Sequence, residues 1–131
     1  MSLTVRVIAP DKTVWDATAD EVILPSTTGQ VGILTGHAPL VTALDIAVMQ
    51  IKSGKDKWIK IALMGGFAEV EENEVTVLVN GAELGSNIDA SAAKAELVEA
   101  EKLAGKASTK QAELEAAQAV KKAKAKILAA A

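Results

Sequence analysis

The residues able to do covalent or acid–base chemistry in this chain are few and poorly grouped. Ser26, Thr27 and Thr28 lie close in sequence to His37, the single histidine, so a hydroxyl–imidazole pair can be drawn. No nucleophile-elbow sequence surrounds them, and turn residues beside a lone surface histidine account for the same pattern. Asp20-Glu21 and the set Glu69, Glu71, Glu72, Glu74 supply carboxylates. Neighbouring strand positions point to opposite faces, so adjacency alone does not make an acid/base pair. Cysteine is absent, which removes disulfides, thiolate metal sites and thiol nucleophiles. One histidine cannot build a multi-histidine metal site. Asp56 and the Gly65-Gly66 pair do not make a phosphate loop, because no helix is expected to open there. The two glycines read instead as a bend or bulge. The expectation is a chain with no catalytic residues, no metal and no cofactor.

The elements that must carry these residues are strands first, then helices. Leu3, Val5, Val7 and Ala9 alternate with Thr4 and Arg6, which is strand periodicity. Pro10-Asp11-Lys12 turns the chain, and Thr13-Val14-Trp15 restarts it. Glu21-Val22-Ile23-Leu24 is a strand ended by Pro25, and Ser26-Thr27-Thr28-Gly29 has turn chemistry. Residues 30–34 are a short extended piece before the turn Gly36-His37-Ala38-Pro39. Residues 40–44 and 46–51 are apolar on both faces, which suits strands covered on two sides or a partner interface. Ser53-Gly54-Lys55-Asp56 predicts a tight hairpin, and Glu71-Glu72-Asn73-Glu74 a second one. Short strands at this spacing predict a sandwich or flattened barrel, and the order of strands before helices excludes an alternating α/β fold.

Residues 89–131 change character. Alanine recurs at every second or third position, and alanine is the best helix former. Asp89 is an N-cap candidate, with Ser91 the alternative. Ala93, Leu97, Ala100 and Ala104 form one helical stripe, and Gly105 suits the position after a helix end. Ser108 with Gln111 resembles a capping box. On the second helix Ala112, Ala116, Ala119, Ala123 and Ile127 share a face, with Lys121, Lys122, Lys124 and Lys126 expected opposite. A short connection predicts an antiparallel hairpin. A helix of alanines buries little apolar area, so it is expected to pack weakly and to be able to move.

Charge follows the same division. The net charge is −3, but residues 1–84 carry 6 basic and 11 acidic groups, while residues 85–131 carry 8 basic and 6 acidic ones. Residues 118–131 hold four lysines and no acid. A cationic arm on an acidic body favours an acidic partner surface; lysines near a helix C-terminus also complement its dipole. Trp15, Trp58 and Phe67 are the only aromatics. Their scarcity and the acidic total oppose nucleic-acid binding, which needs stacking platforms and basic charge. No apolar run approaches the roughly 18 residues of a spanning helix, and residues 1–6 lack the apolar core of a signal peptide. Membrane association is therefore expected only indirectly, through a partner.

The ordered motifs Leu24-Pro25, Gly29-Gln30-Val31-Gly32-Ile33-Leu34, Gly36-His37-Ala38-Pro39-Leu40-Val41-Thr42-Ala43-Leu44, Gly65-Gly66-Phe67-Ala68-Glu69-Val70, Val75-Thr76-Val77-Leu78 and Ile88-Asp89 closely resemble the epsilon subunit of F-type ATP synthases. The resemblance covers essentially the whole chain. Ala62-Leu63-Met64-Gly65-Gly66-Phe67 and Leu78-Val79-Asn80-Gly81-Ala82-Glu83 look most like the photosynthetic branch, from cyanobacteria and chloroplasts. The resemblance implies a flattened β-sandwich of about ten strands over residues 1–84, docked on the gamma subunit and the c-ring. Residues 88–131 would then form a two-helix hairpin, with helices near 90–104 and 109–130. It implies a non-catalytic rotor subunit of the central stalk, coupling the catalytic head to the c-ring. Its place would be peripheral, on the cytoplasmic or stromal face of an energy-coupling membrane, a thylakoid for the photosynthetic branch. Gln30, Val31, His37, Ala38 and Pro39 would face the c-ring. Lys121, Lys122, Lys124 and Lys126 would approach the beta subunit when the helices extend, hindering ATP hydrolysis.

An alternative is an ATP-sensing module, because some bacterial members bind ATP through an Ile/Leu-Asp-x-x-Arg-Ala motif. Here the run is Ile88-Asp89-Ala90-Ser91-Ala92-Ala93, with Ala92 in place of the arginine. Loss of that cation removes a partner for phosphate, so Asp89 reads as a helix cap. ATP binding is expected to be weak or absent; isothermal titration calorimetry giving a micromolar Kd contradicts this expectation.

Overall fold

The computed structural model describes residues 2–54 and 57–131. Lys55 and Asp56, expected at a hairpin tip, lie outside the described residues. Eight strands precede two helices: β1 (Leu3–Ala9), β2 (Lys12–Ala19), β3 (Glu21–Ser26), β4 (Gly29–Leu34), β5 (Leu40–Lys52), β6 (Trp58–Glu71), β7 (Glu74–Val79) and β8 (Ala82–Leu84), then α1 (Ala90–Lys106) and α2 (Lys110–Ala130). A single 3-10 turn, Gly85–Asn87, joins the two parts.

The strands hydrogen-bond in the order β2-β1-β7-β6-β5-β3-β4, with β8 paired to β6. All ladders are antiparallel except β1 with β7. Leu3, Val5, Val7, Val22, Leu24, Ile33, Met49, Ile51, Ile61, Leu63, Val75 and Val77 converge in one buried cluster drawn from both ends of the sheet. A sheet whose strands share one core must curl over it, and the result is a flattened sandwich.

The count is eight strands among the described residues, against the ten that the resemblance implied, because β5 and β6 each run unbroken through a bend that would otherwise divide them into two strands apiece. Leu44 pairs with Gly66 and Ile46 with Met64, leaving Asp45 opposite Gly65 at an irregular step. Gly65 has φ 81° and Gly66 φ 158°, so the glycines bend β6 without ending it. On one side of that bend β6 pairs with β8, on the other with β7.

Pro25 does not end β3; it lies within the strand, opposite Gln30. The β3–β5 register is irregular between Ile23 and Ser26, so the missing proline N–H falls where no ladder bond is required. Glu72 and Asn73 take φ 47° and 64° in a two-residue turn closed by the Glu71–Glu74 pair, the left-handed geometry that hairpins favour.

The helix ends differ from the sequence expectation by short steps. Asp89 caps α1, its carboxylate accepting from the Ser91 and Ala92 backbone N–H groups at 2.9 and 3.2 Å. Gly105 lies inside α1 rather than beyond it, because the chain leaves the helix through an extended Ala107 and needs no left-handed residue. Thr109, not Ser108, caps α2 by accepting from the Ala112 N–H at 3.1 Å. Glu96 of α1 meets Lys126 of α2, while Leu103 shares a groove with Ala112, Ala116 and Ala119. The two helices are therefore antiparallel.

The bend in β6 brings two backbones unusually close. A Cβ at Gly66 would overlap the Leu78 carbonyl oxygen and lie 2.7 Å from the Val79 Cα. Gly66→Ala is expected to destabilise the chain by about 3 kcal/mol, read as a lowered denaturant midpoint. Gly32→Ala, where an added Cβ meets nothing, is the control and should change stability by less than about 0.5 kcal/mol.

Candidate functional site

α2 lies on the outer face of β5 and β6. Ala125 and Ala129 close over Ala62, with Ile46, Val48, Met64 and Ile88 around them. This explains the two-sided apolar pattern of β5: Leu44, Met49 and Ile51 enter the sandwich core, while Ile46 and Val48 face the helix. A Cβ at Gly85 would overlap the Ala129 carbonyl oxygen and lie 3.1 Å from the Lys60 carbonyl oxygen, so small residues are required on both sides of this contact. The stripe Ala112, Ala116, Ala119, Ala123 and Ile127 is only part of the buried surface. Ala125 and Ala129 form the contact with the sheet, and their four-residue spacing was the available signal.

The four lysines do not form one free face. Lys126 is 21% exposed and reaches Glu96 of α1 at 3.0 Å and Glu83 of β8 at 3.6 Å. Lys121 reaches Asp45 at the irregular step of β5, at 3.7 Å. Lys122 lines the clefts on either side of α2, and Lys124 is exposed. Partial burial works to lower the Lys126 pKa, but the hydrogen bond it donates to Glu96 and the charges of Glu83 and Glu96 outweigh it, and the net is a pKa above the usual lysine value of 10.5. Lys126 thus ties α2 to α1 and to the sandwich at once. The helical period places it between the two alanine stripes, where the sequence reading had set it with the free lysines.

The groove between α1 and α2 has a volume of about 550 Å³ and is lined by Ala92, Glu96, Glu99, Leu103, Lys122 and Lys126, among others. Its two carboxylates oppose a polyphosphate, and Lys126 is already engaged by Glu83 and Glu96. Asp89 is occupied in capping. Among the described residues no group of His, Asp and Glu side chains could hold a metal ion.

Gln30 and Val31 open β4, the edge strand; His37, Ala38 and Pro39 lie in the turn beyond its far end. Val31 lies three strand steps from Leu34, roughly 10 Å, and the His37 N–H closes a turn back on the Leu34 carbonyl, so the structure sets Val31 and His37 at different ends of β4 and not in one loop. They belong to one sheet edge. β4 carries no charged residue, and Leu34 is 57% exposed. The His37 Nδ1 lies 2.6 Å from the Ala38 carbonyl oxygen; a carbonyl only accepts, so that nitrogen carries the proton and donates. Ser26 is buried, and its hydroxyl meets Thr42 at 2.8 Å and Thr28 at 3.2 Å rather than His37.

A second apolar surface is uncovered. Ile8 pairs with Leu78, Leu78 with Phe67, and Phe67 with Ala43, a row across four strands. Phe67 is 62% and Leu78 53% exposed, and nearby Val41 is 71% exposed. α2 covers the other half of β5 and β6, beyond their bends.

Residues 2–85 match the family model described as ATP synthase, Delta/Epsilon chain, beta-sandwich domain. The chain is 61% identical to the ATP synthase epsilon chain of Synechococcus sp. (strain PCC 6716), over 99% of this chain and 96% of that protein. It is 58% identical to the chloroplastic ATP synthase epsilon chain of Emiliania huxleyi, over the full length of both. It superposes with a TM-score of 0.83 on a chain from the cryo-EM structure of the Euglena gracilis mitochondrial ATP synthase, OSCP/F1/c-ring in rotational state 1. That match covers 98% of this chain and 80% of the other, and at 18% identity it concerns the fold.

Lys126→Met is expected to loosen α2 by about 1 kcal/mol, since both carboxylate partners are half exposed and screened. Amide exchange along α2 should speed up while the β-sandwich is unchanged. The raised pKa fixes the sign of the pH dependence: the ion pairs contribute fully below the unfolded lysine value and are lost as pH rises through the higher folded value. Above neutral pH, parent and Lys126→Met should therefore converge in stability only in strongly alkaline solution.

Proposed function

The chain belongs to the ATP synthase epsilon-chain family, and from that premise we propose that it serves as a non-catalytic rotor subunit of the central stalk of a proton-translocating ATP synthase. The observation that carries this reading is the contrast between its two parts. The body is one continuous sheet around one core. The hairpin is attached to it by a small apolar patch centred on Ala62, Ala125 and Ala129 and by the ion pairs of Lys121 and Lys126.

The sandwich is the part that would dock permanently. The row Ile8, Leu78, Phe67 and Ala43, exposed at Leu78 and Phe67 and with exposed Val41 beside it, is an apolar surface suited to a stable protein contact, and we assign it to the gamma subunit. The uncharged edge strand β4, from Gln30 and Val31 to the His37-Ala38-Pro39 turn, is assigned to the c-ring. No helix among the described residues is long and apolar enough to cross a membrane. Attachment to the energy-coupling membrane, a thylakoid in the photosynthetic branch, would run through these partners.

The hairpin is the part that would regulate. Folded down, Lys121 and Lys126 are paired with carboxylates of the body. Extended, Lys121, Lys122, Lys124 and Lys126 would be free to meet an acidic segment of the beta subunit and restrain ATP hydrolysis. Each exposed pair contributes only about 0–1 kcal/mol, so one set of carboxylates can replace another at small cost. The groove carboxylates Glu96 and Glu99 and the missing cation at Ala92 argue against nucleotide control of this movement.

Deleting residues 89–131 should leave assembly and proton coupling intact while raising ATP hydrolysis. Because the deletion bares Ile46, Val48 and Ala62, a second variant keeps the fold: Lys121, Lys122 and Lys124 changed together to Gln. It should raise hydrolysis by about two- to tenfold. Hydrolysis at the parent rate in both variants would remove the regulatory half of the proposal.

A further inference from the structure

At one end of the sandwich a single side chain organises the β4–β5 turn. The Asn73 Oδ1 accepts a 2.7 Å hydrogen bond from the Gly36 backbone N–H, across 37 residues of sequence. The Asn73 carbonyl oxygen accepts another, at 2.8 Å, from the Thr4 N–H at the start of β1. Asn73 itself is left-handed, with φ 64°. That conformation is open to few side chains, and asparagine is one of them. The residue therefore meets three requirements together: a tight β6–β7 turn, an anchor for β1, and an acceptor aimed at the turn before β5.

The turn it grips is otherwise loosely held. Gly36 has φ 86° and is exposed, as are Ala38 and Pro39. Within the turn, the His37 N–H donates to Leu34 and the His37 ring to Ala38, both within three residues. Local bonds shape a turn but do not fix where it stands on the body. Among the hydrogen bonds of residues 35–39, the one to Asn73 is the tie to a distant element.

We propose that Asn73 is a positioning residue for the Gly36-His37-Ala38-Pro39 turn, holding it in the orientation in which it meets the c-ring. This rests on the assignment of that turn to the c-ring. Asn73 touches the turn through its side chain and the sandwich through its backbone, so it converts a surface loop into a rigid extension of the body. A contact that must transmit torque needs such a fixed seat, because a turn that yields under load dissipates the motion instead of passing it on.

Two substitutions separate the side-chain acceptor from the backbone conformation. Asn73→Gly keeps the left-handed turn and removes the acceptor; Asn73→Asp keeps an acceptor oxygen on the same stem. In the full chain, Gly36 amide exchange should be about fivefold faster in Asn73→Gly and near the parent rate in Asn73→Asp. In the assembled synthase, protons pumped per ATP hydrolysed should fall by about twofold in Asn73→Gly and recover in Asn73→Asp. The far-UV circular dichroism spectrum serves as the structural control and should match for the two variants.

Parent-level pumping in Asn73→Gly overturns the inference, as does an equal loss in both variants. A joint His37→Ala, Pro39→Ala variant tests the premise. If it lowers pumping and Asn73→Gly does not, only the positioning role fails. If it too pumps at the parent level, the c-ring assignment fails and the inference with it.

Discussion

Close approach between two alanine surfaces is the constraint on which the arrangement depends. Ala125 and Ala129 lie on Ala62, and Gly85 has no room for even one more carbon beside the Ala129 carbonyl. Small side chains let the helix come near the sheet, but each buries little apolar area, so the attraction per residue is low. The contact is thus demanding in shape and modest in energy. The ion pairs of Lys121 and Lys126 are arranged around it. They orient the helix on the sheet more than they hold it there, since exposed pairs contribute little to stability.

Much of this was legible in the sequence where periodicity was unambiguous. The alternation of Leu3, Val5, Val7 and Ala9 marks β1 with its inward face correct. The switch to alanine at residue 89 marks the hairpin, and Asp89 caps it as its position suggests. Gly65-Gly66 reads as a bend or bulge and is one, but that β5 and β6 each continue as one long strand through this region is not legible from local sequence. Whether such residues bend a strand or end it is decided by the ladder partners on each side, here β7 and β8 for β6.

The site was less legible than the fold. Lysines on a helix announce charge, but helix periodicity alone does not reveal which carboxylate a neighbouring element will bring. Glu83 and Glu96 lie 43 and 30 positions from Lys126 in the chain and meet it only once the hairpin closes. The Asn73 contact is similar. Its place in Glu-Glu-Asn-Glu marks a turn, while its acceptor is directed at a residue 37 positions away. Gln30 and Val31 were grouped with His37 by the motif, and the strand between them sets the two at different ends of one edge.

The bends in β5 and β6 have a mechanical consequence. In a sandwich made of separate sheets, the layers meet only through side chains and can slip past each other under a tangential load. Here two of the strands continue through the corner from one layer into the other. Relative slip between the layers would have to stretch or unbend covalent backbone, which is far stiffer than a packed interface. The body should accordingly resist shear along the strand direction better than its small size suggests, and yield first where only side chains join its parts.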